Sequence, residues 1–175
     1  MHASGRNIAR SLGRSTRWVA AALAAASSLA QAQPGFFKPA VQWEARVDAL
    51  GGPPAGVQAG VGANVAAGYY LRIGMDAAAG VASRDGGAAP GARVDVVTRY
   101  LLDPFGEFRW GPYAGTGFTA QWDRRANTDT WRAGLLVVVG LEGPAHAGWR
   151  TSAELALGGG ARLGVVFRRS RSNGR

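Results

Sequence analysis

Five carboxylates, Glu44, Asp48, Asp76, Asp95 and Glu154, are the residues of this chain best suited to acid–base work. Two carboxyls in unlike environments can divide the roles of proton donor and acceptor. Arginines accompany them at Arg46, Arg72, Arg93, Arg99 and Arg150, so the same acids can equally form cross-strand ion pairs. His146, in "GPAHAG" (143–148), is the one histidine after residue 32, and nothing near it in sequence supplies an orienting carboxylate or a nucleophile. There is no cysteine, no metal-ligand spacing and no glycine loop opening a helix to hold phosphate. These residues predict no catalytic site, no metal and no cofactor. The acids and arginines then read as structural, and their role depends on the elements that carry them.

Those elements follow one rule. In "WRTSAELAL" (149–157), Trp149, Thr151, Ala153, Leu155 and Leu157 share one side, while Arg150, Ser152 and Glu154 take the other. Side chains on a strand alternate faces, so this is a period-2 strand with one apolar face. The pattern recurs in 41–49, 57–65, 69–81, 93–102, 113–123, 130–142 and 162–167. The eighth run is short unless it continues into the arginines. Glycine, proline, asparagine and aspartate gather between the runs at 51–56, 66–68, 83–92, 103–112, 124–129, 143–148 and 158–161. Such short connections suit an antiparallel meander and leave no room for crossover helices. Eight up-and-down strands remove their edges by closing into a barrel.

Alternation permits two barrels: a soluble, lipocalin-like one with the apolar face inward, or a transmembrane one with that face in lipid. The charges favour lipid. Arg46, Arg72, Arg93, Arg99, Arg132, Arg150 and Arg162 match Glu44, Asp48, Asp76, Asp95, Asp123, Glu142 and Glu154 in number, as a narrow lumen requires. The aromatics favour it too. Trp43, Tyr69, Tyr100, Trp149 and Phe167 fall near one rim, with Trp122 and Trp131 near the other, forming interfacial girdles.

The first 32 residues read as a cleaved secretory signal: Arg6, Arg10, Arg14 and Arg17, an apolar run at 18–30, and "AQA" before Gln33. Residues 33–167 are then the barrel and 168–175 a basic, solvated tail. Four of the nine formal positive charges leave with the leader and four more lie in that tail. The body is nearly neutral, which argues against nucleic acid as a partner.

In pattern, the chain resembles the small eight-stranded outer-membrane barrels, the OmpA-like transmembrane domains and their OmpX-like relatives. "GPYAGTGF" (111–118) is similar to strand openings of that group. "RLGVVF" resembles the last-strand assembly signal, with Arg162, Gly164 and Phe167 in its places. The resemblance implies an all-β transmembrane barrel that the barrel-assembly machinery inserts into the bacterial outer membrane, with lipid as its partner.

The leading expectation is a monomeric, non-enzymatic barrel whose lumen is shut by ion pairs, serving envelope structure or surface interaction. A second is a transport barrel, porin-like or passing an apolar ligand, in which Gly60, Gly62, Gly74, Gly115 and Gly117 leave local space. A soluble secreted ligand binder is the third.

Overall fold

The computed structural model describes residues 41–52, 55–84, 87–125 and 128–169; the expected signal and residues 170–175 of the expected tail lie outside them. Eight antiparallel strands follow one another in chain order: β1 (Val41–Gly51), β2 (Ala55–Ala66), β3 (Leu71–Arg84), β4 (Gly87–Leu101), β5 (Gly111–Arg125), β6 (Thr128–Glu142), β7 (Trp149–Leu157) and β8 (Ala161–Arg169). Each pairs with its neighbours, and β8 returns to β1 to close the barrel.

The polar face is inside. Burial alternates along β8 without a break, with Arg162, Val166 and Arg168 buried and Leu163, Val165 and Phe167 exposed. Trp43, Val61, Leu135 and Leu163 are each more than 60% exposed on the outer wall, while Asp48, Asp95 and Arg99 are 1% exposed or less. This polarity rules out the lipocalin-like arrangement, which needs an apolar interior.

Three stretches depart from the sequence expectations. Residues 83–92 and 124–129 are largely strand, since β3 runs to Arg84 and β4 starts at Gly87, while β5 and β6 run to Arg125 and from Thr128. Glycine and alanine there do signal a turn, but each stretch continues its hairpin ladder, Arg84 opposite Gly87 and Arg125 opposite Thr128, and that pairing overrides propensity. β8 also continues through Arg168 and Arg169, which the sequence places in the tail.

The long β4–β5 turn is internally organised. The Asp103 carboxylate accepts hydrogen bonds from the backbone N–H groups of Glu107 and Phe108, both at 2.9 Å, and Gly106 takes a positive φ of 71° between them. The bond from Phe108, then that from Glu107, holds the Asp103 carboxyl below the usual carboxylate range. A depressed folded-state value means that the latch is complete above the ordinary pKa of about 4 and is lost as pH falls through the lower one. The Glu107 and Phe108 amide resonances should therefore titrate together below about pH 4. In Asp103→Asn that titration should vanish; an unchanged titration would place its source elsewhere.

Candidate functional site: the ion network of the lumen

The centre of the lumen is filled by side chains from five strands. Arg46 on β1 donates to Asp48 and to Glu154 on β7, each at 2.9 Å, and lies 3.1 Å from Asp76 on β3. Arg93 on β4 donates to Asp95 at 3.0 Å and reaches Asp48 and Gln58. Arg99, also on β4, donates to Glu154 at 3.1 Å and lies 3.6 Å from Glu44. The alternation delivers each group inward, and the barrel's stagger stacks them in layers.

At the end where the barrel's first strand starts and its last finishes, here called the terminal end, Glu142 accepts from Arg72 (2.6 Å), Arg150 (2.7 Å) and Arg168. Arg168 also lies 3.1 Å from Glu44. At the opposite, loop end, Arg162 donates to Asp95 at 2.7 Å and Arg132 donates to Asp123.

Of the fourteen charged residues expected to meet in the lumen, Glu44, Arg46, Asp48, Asp76, Arg93, Asp95, Arg99, Glu142, Glu154 and Arg162 are buried. Arg72, Asp123 and Arg150 are half-buried, and Arg132 is exposed at the loop-end mouth. Sequence reasoning missed Arg168, although it occupies the next inward place after Arg162, Gly164 and Val166. It also missed an apolar patch among the charges, formed by Val97, Leu136, Val138 and Ala156. The unbroken apolar run of β6 hides that patch, because alternation carries no signal where both faces are greasy.

The lumen glycines leave less room than the transport expectation supposes. A Cβ on Gly62 would lie 2.7 Å from the Asp76 Cβ, and one on Gly74 would lie 3.1 Å from an Arg99 nitrogen. Neighbouring side chains already use that space. Gly140 is the clearest case: it faces Tyr113 in the β5–β6 ladder, and a Cβ there would collide with the phenol ring. The Tyr113 hydroxyl donates to Glu154 at 3.1 Å. Gly140→Ala should displace the ring, break that bond and cost about 1–3 kcal/mol in unfolding experiments. Adding Tyr113→Leu should recover most of the loss. A neutral Gly140→Ala would show that the ring has another place to go.

The expected aromatic residues all lie on the outside or at the rims. Trp43, Tyr100, Trp149 and Phe167 are exposed near the terminal end, with Tyr69 in the adjoining β2–β3 turn. Trp122 and Trp131 face each other across β5 and β6 toward the loop end, and the Arg124 guanidinium lies 5.6 Å from the Trp122 ring. Tyr70, Phe105, Phe108 and Trp110 join the terminal-end cluster, Tyr70 stacking on Tyr100 with centroids 5.7 Å apart. Tyr70 departs from the alternation because it sits in the turn before β3. His146 is exposed in the β6–β7 turn, where its backbone exchanges two hydrogen bonds with Trp149.

An eight-stranded closed meander with ionic residues inside and an apolar wall outside is the fold of the small outer-membrane β-barrels. Among solved structures, the chain is similar to Neisserial surface protein A (13% identity, TM-score 0.58), covering 77% of this chain and all of that one. It is likewise similar to the N-terminal β-barrel domain of Pseudomonas aeruginosa OprF (14% identity, TM-score 0.55), covering 75% and 99% of the two chains. At these identities the likeness establishes the fold alone. No family model and no curated protein matches the sequence.

Proposed function

We propose that this chain is an integral protein of the bacterial outer membrane, a non-enzymatic barrel with an ion-paired, closed lumen that serves envelope structure or surface interaction. The observation that carries this reading is the inverted polarity. Burying five arginines among the described residues while exposing a belt of valine, leucine and tryptophan is costly in water and favourable in hydrocarbon. The fold shared with outer-membrane proteins supports the same reading. Residues 1–32 serve as the export signal, Arg162, Gly164 and Phe167 as the assembly signal, and the folded barrel works as a monomer, its terminal end toward the periplasm.

The test is extraction and conductance. The protein should leave the outer-membrane fraction only with detergent and run faster on gels unheated than boiled. In planar bilayers it should give no steady open current. Release without detergent overturns the membrane reading, and a stable ion-selective conductance overturns the closed lumen.

A further inference from the structure

β6 outlasts the strand beside it. It pairs with β5 along its whole length, from Glu142 to Thr128, but with β7 only over Val137–Glu142. β7 stops at Leu157 and turns through Gly158–Gly160, leaving one edge of β6 from Thr128 to Leu136 unpaired among the described residues. An open edge at membrane depth strands N–H and C=O groups unless it is covered or lines a wet cavity. Such a cavity lies behind it. A cavity of about 60 Å³ is lined by the 158–160 turn together with Gln121, Asp123, Arg93, Arg132 and Arg162.

The floor of this pocket has donors to spare. Arg162 is 3% exposed, and although one of its nitrogens binds Asp95, its Nε and Nη2 have no acceptor. Three arginines, Arg93, Arg132 and Arg162, line the pocket against one acid, Asp123, which pairs with Arg132. Outside, on the same stretch of β6, Trp131 and Leu135 are each 71% exposed. A cationic floor, an apolar lip and a gap in the wall thus lie side by side.

We propose that this notch is a side-entry site for an amphiphile with a phosphate or carboxylate head. The head seats in the pocket, where the Arg162 guanidinium turns toward it and Arg132 closes over it. Its oxygens also accept from the unpaired N–H groups of β6. The tail leaves through the gap above the 158–160 turn and lies against Trp131 and Leu135. This site rests on the membrane reading, since only a surrounding bilayer supplies such a ligand sideways.

Dodecyl phosphate, titrated into the barrel in neutral maltoside micelles, provides the probe. Calorimetry should show saturable binding at least about tenfold tighter than that of dodecanol or of inorganic phosphate. Gly134 faces inward on β6 with nothing within 4 Å of where its Cβ would stand, so Gly134→Leu fits the fold and fills the notch. That variant should keep the parent's thermal midpoint yet bind dodecyl phosphate about tenfold more weakly. Arg162→Gln should weaken binding by a similar factor and, having lost its pair with Asp95, should also lower the midpoint. Equal binding of dodecanol would reduce the site to a greasy surface. Phosphate binding as tightly, and indifferent to Gly134→Leu, would make it a soluble-ion site. Cross-linking of a Trp131→Cys edge to a second chain would show that protein covers it. Each of these outcomes overturns the proposal. A detergent-dependent, heat-modifiable barrel that binds no dodecyl phosphate sinks the site alone, whereas a barrel needing no detergent sinks both readings.

Discussion

Glu154→Leu should cost about 3–5 kcal/mol of unfolding free energy, because it leaves charge buried without its partner. Glu154 is 1% exposed and accepts from Arg46 at 2.9 Å, Arg99 at 3.1 Å and the Tyr113 hydroxyl at 3.1 Å. The two arginines do not suffer equally. Arg46 keeps Asp48 and Asp76, both within about 3 Å. Arg99 keeps only Glu44 at 3.6 Å and Asp76 at 3.9 Å, neither a hydrogen bond of good length. The loss should therefore be repaired mainly by removing Arg99. The double variant Glu154→Leu, Arg99→Leu should regain most of it, since an apolar pair of similar bulk can replace a buried ion pair without penalty. Urea unfolding in lipid vesicles, followed by tryptophan fluorescence, completes the cycle. A single-variant cost below about 1 kcal/mol would mean that water already solvates these groups, and the lumen would have to be read as wet.

This network shows where a sequence stops speaking. That Arg46, Arg99 and Glu154 point inward is written in the alternation, because side-chain parity along a strand is a local property. That these three meet is not. Arg46 and Glu154 lie 108 positions apart, and their contact depends on how β1, β8 and β7 are staggered around the barrel. Arg168 shows the same limit from another side. By parity it is an inward residue, but its neighbours "RRSRSNGR" have the composition of a solvated tail. Only its ladder to Glu44 and its contact with Glu142 make it part of the wall and the lumen. The 83–92 stretch fails for the opposite reason. Its local chemistry is that of a turn, and pairing such as Val81 with Pro90 and Gly80 with Gly91 overrides it. The notch beside β6 comes from unequal hairpin lengths, which no single strand reveals.

Val137→Arg should cost about 2–4 kcal/mol in lipid vesicles, the penalty for a cation on the lipid face near the bilayer centre. Val137 is 51% exposed, on the outer face of β6 between the loop-end Trp131 and the terminal-end rim. It touches none of the lumen charges, so lost ion pairing cannot account for the effect. Thr151→Arg supplies the control. Thr151 is also exposed and faces outward, but it lies beside Trp149 at the rim, where an arginine can reach headgroups and should cost about 0–1 kcal/mol. If this wall faced water, both would be ordinary surface substitutions, each within about 0.5 kcal/mol of the parent. The contrast between the two depths, more than either value, distinguishes hydrocarbon from water. Equal and small losses at both positions would remove the bilayer from around the barrel. The arginines inside would then need a different justification, and the side-entry site would lose its source of ligand.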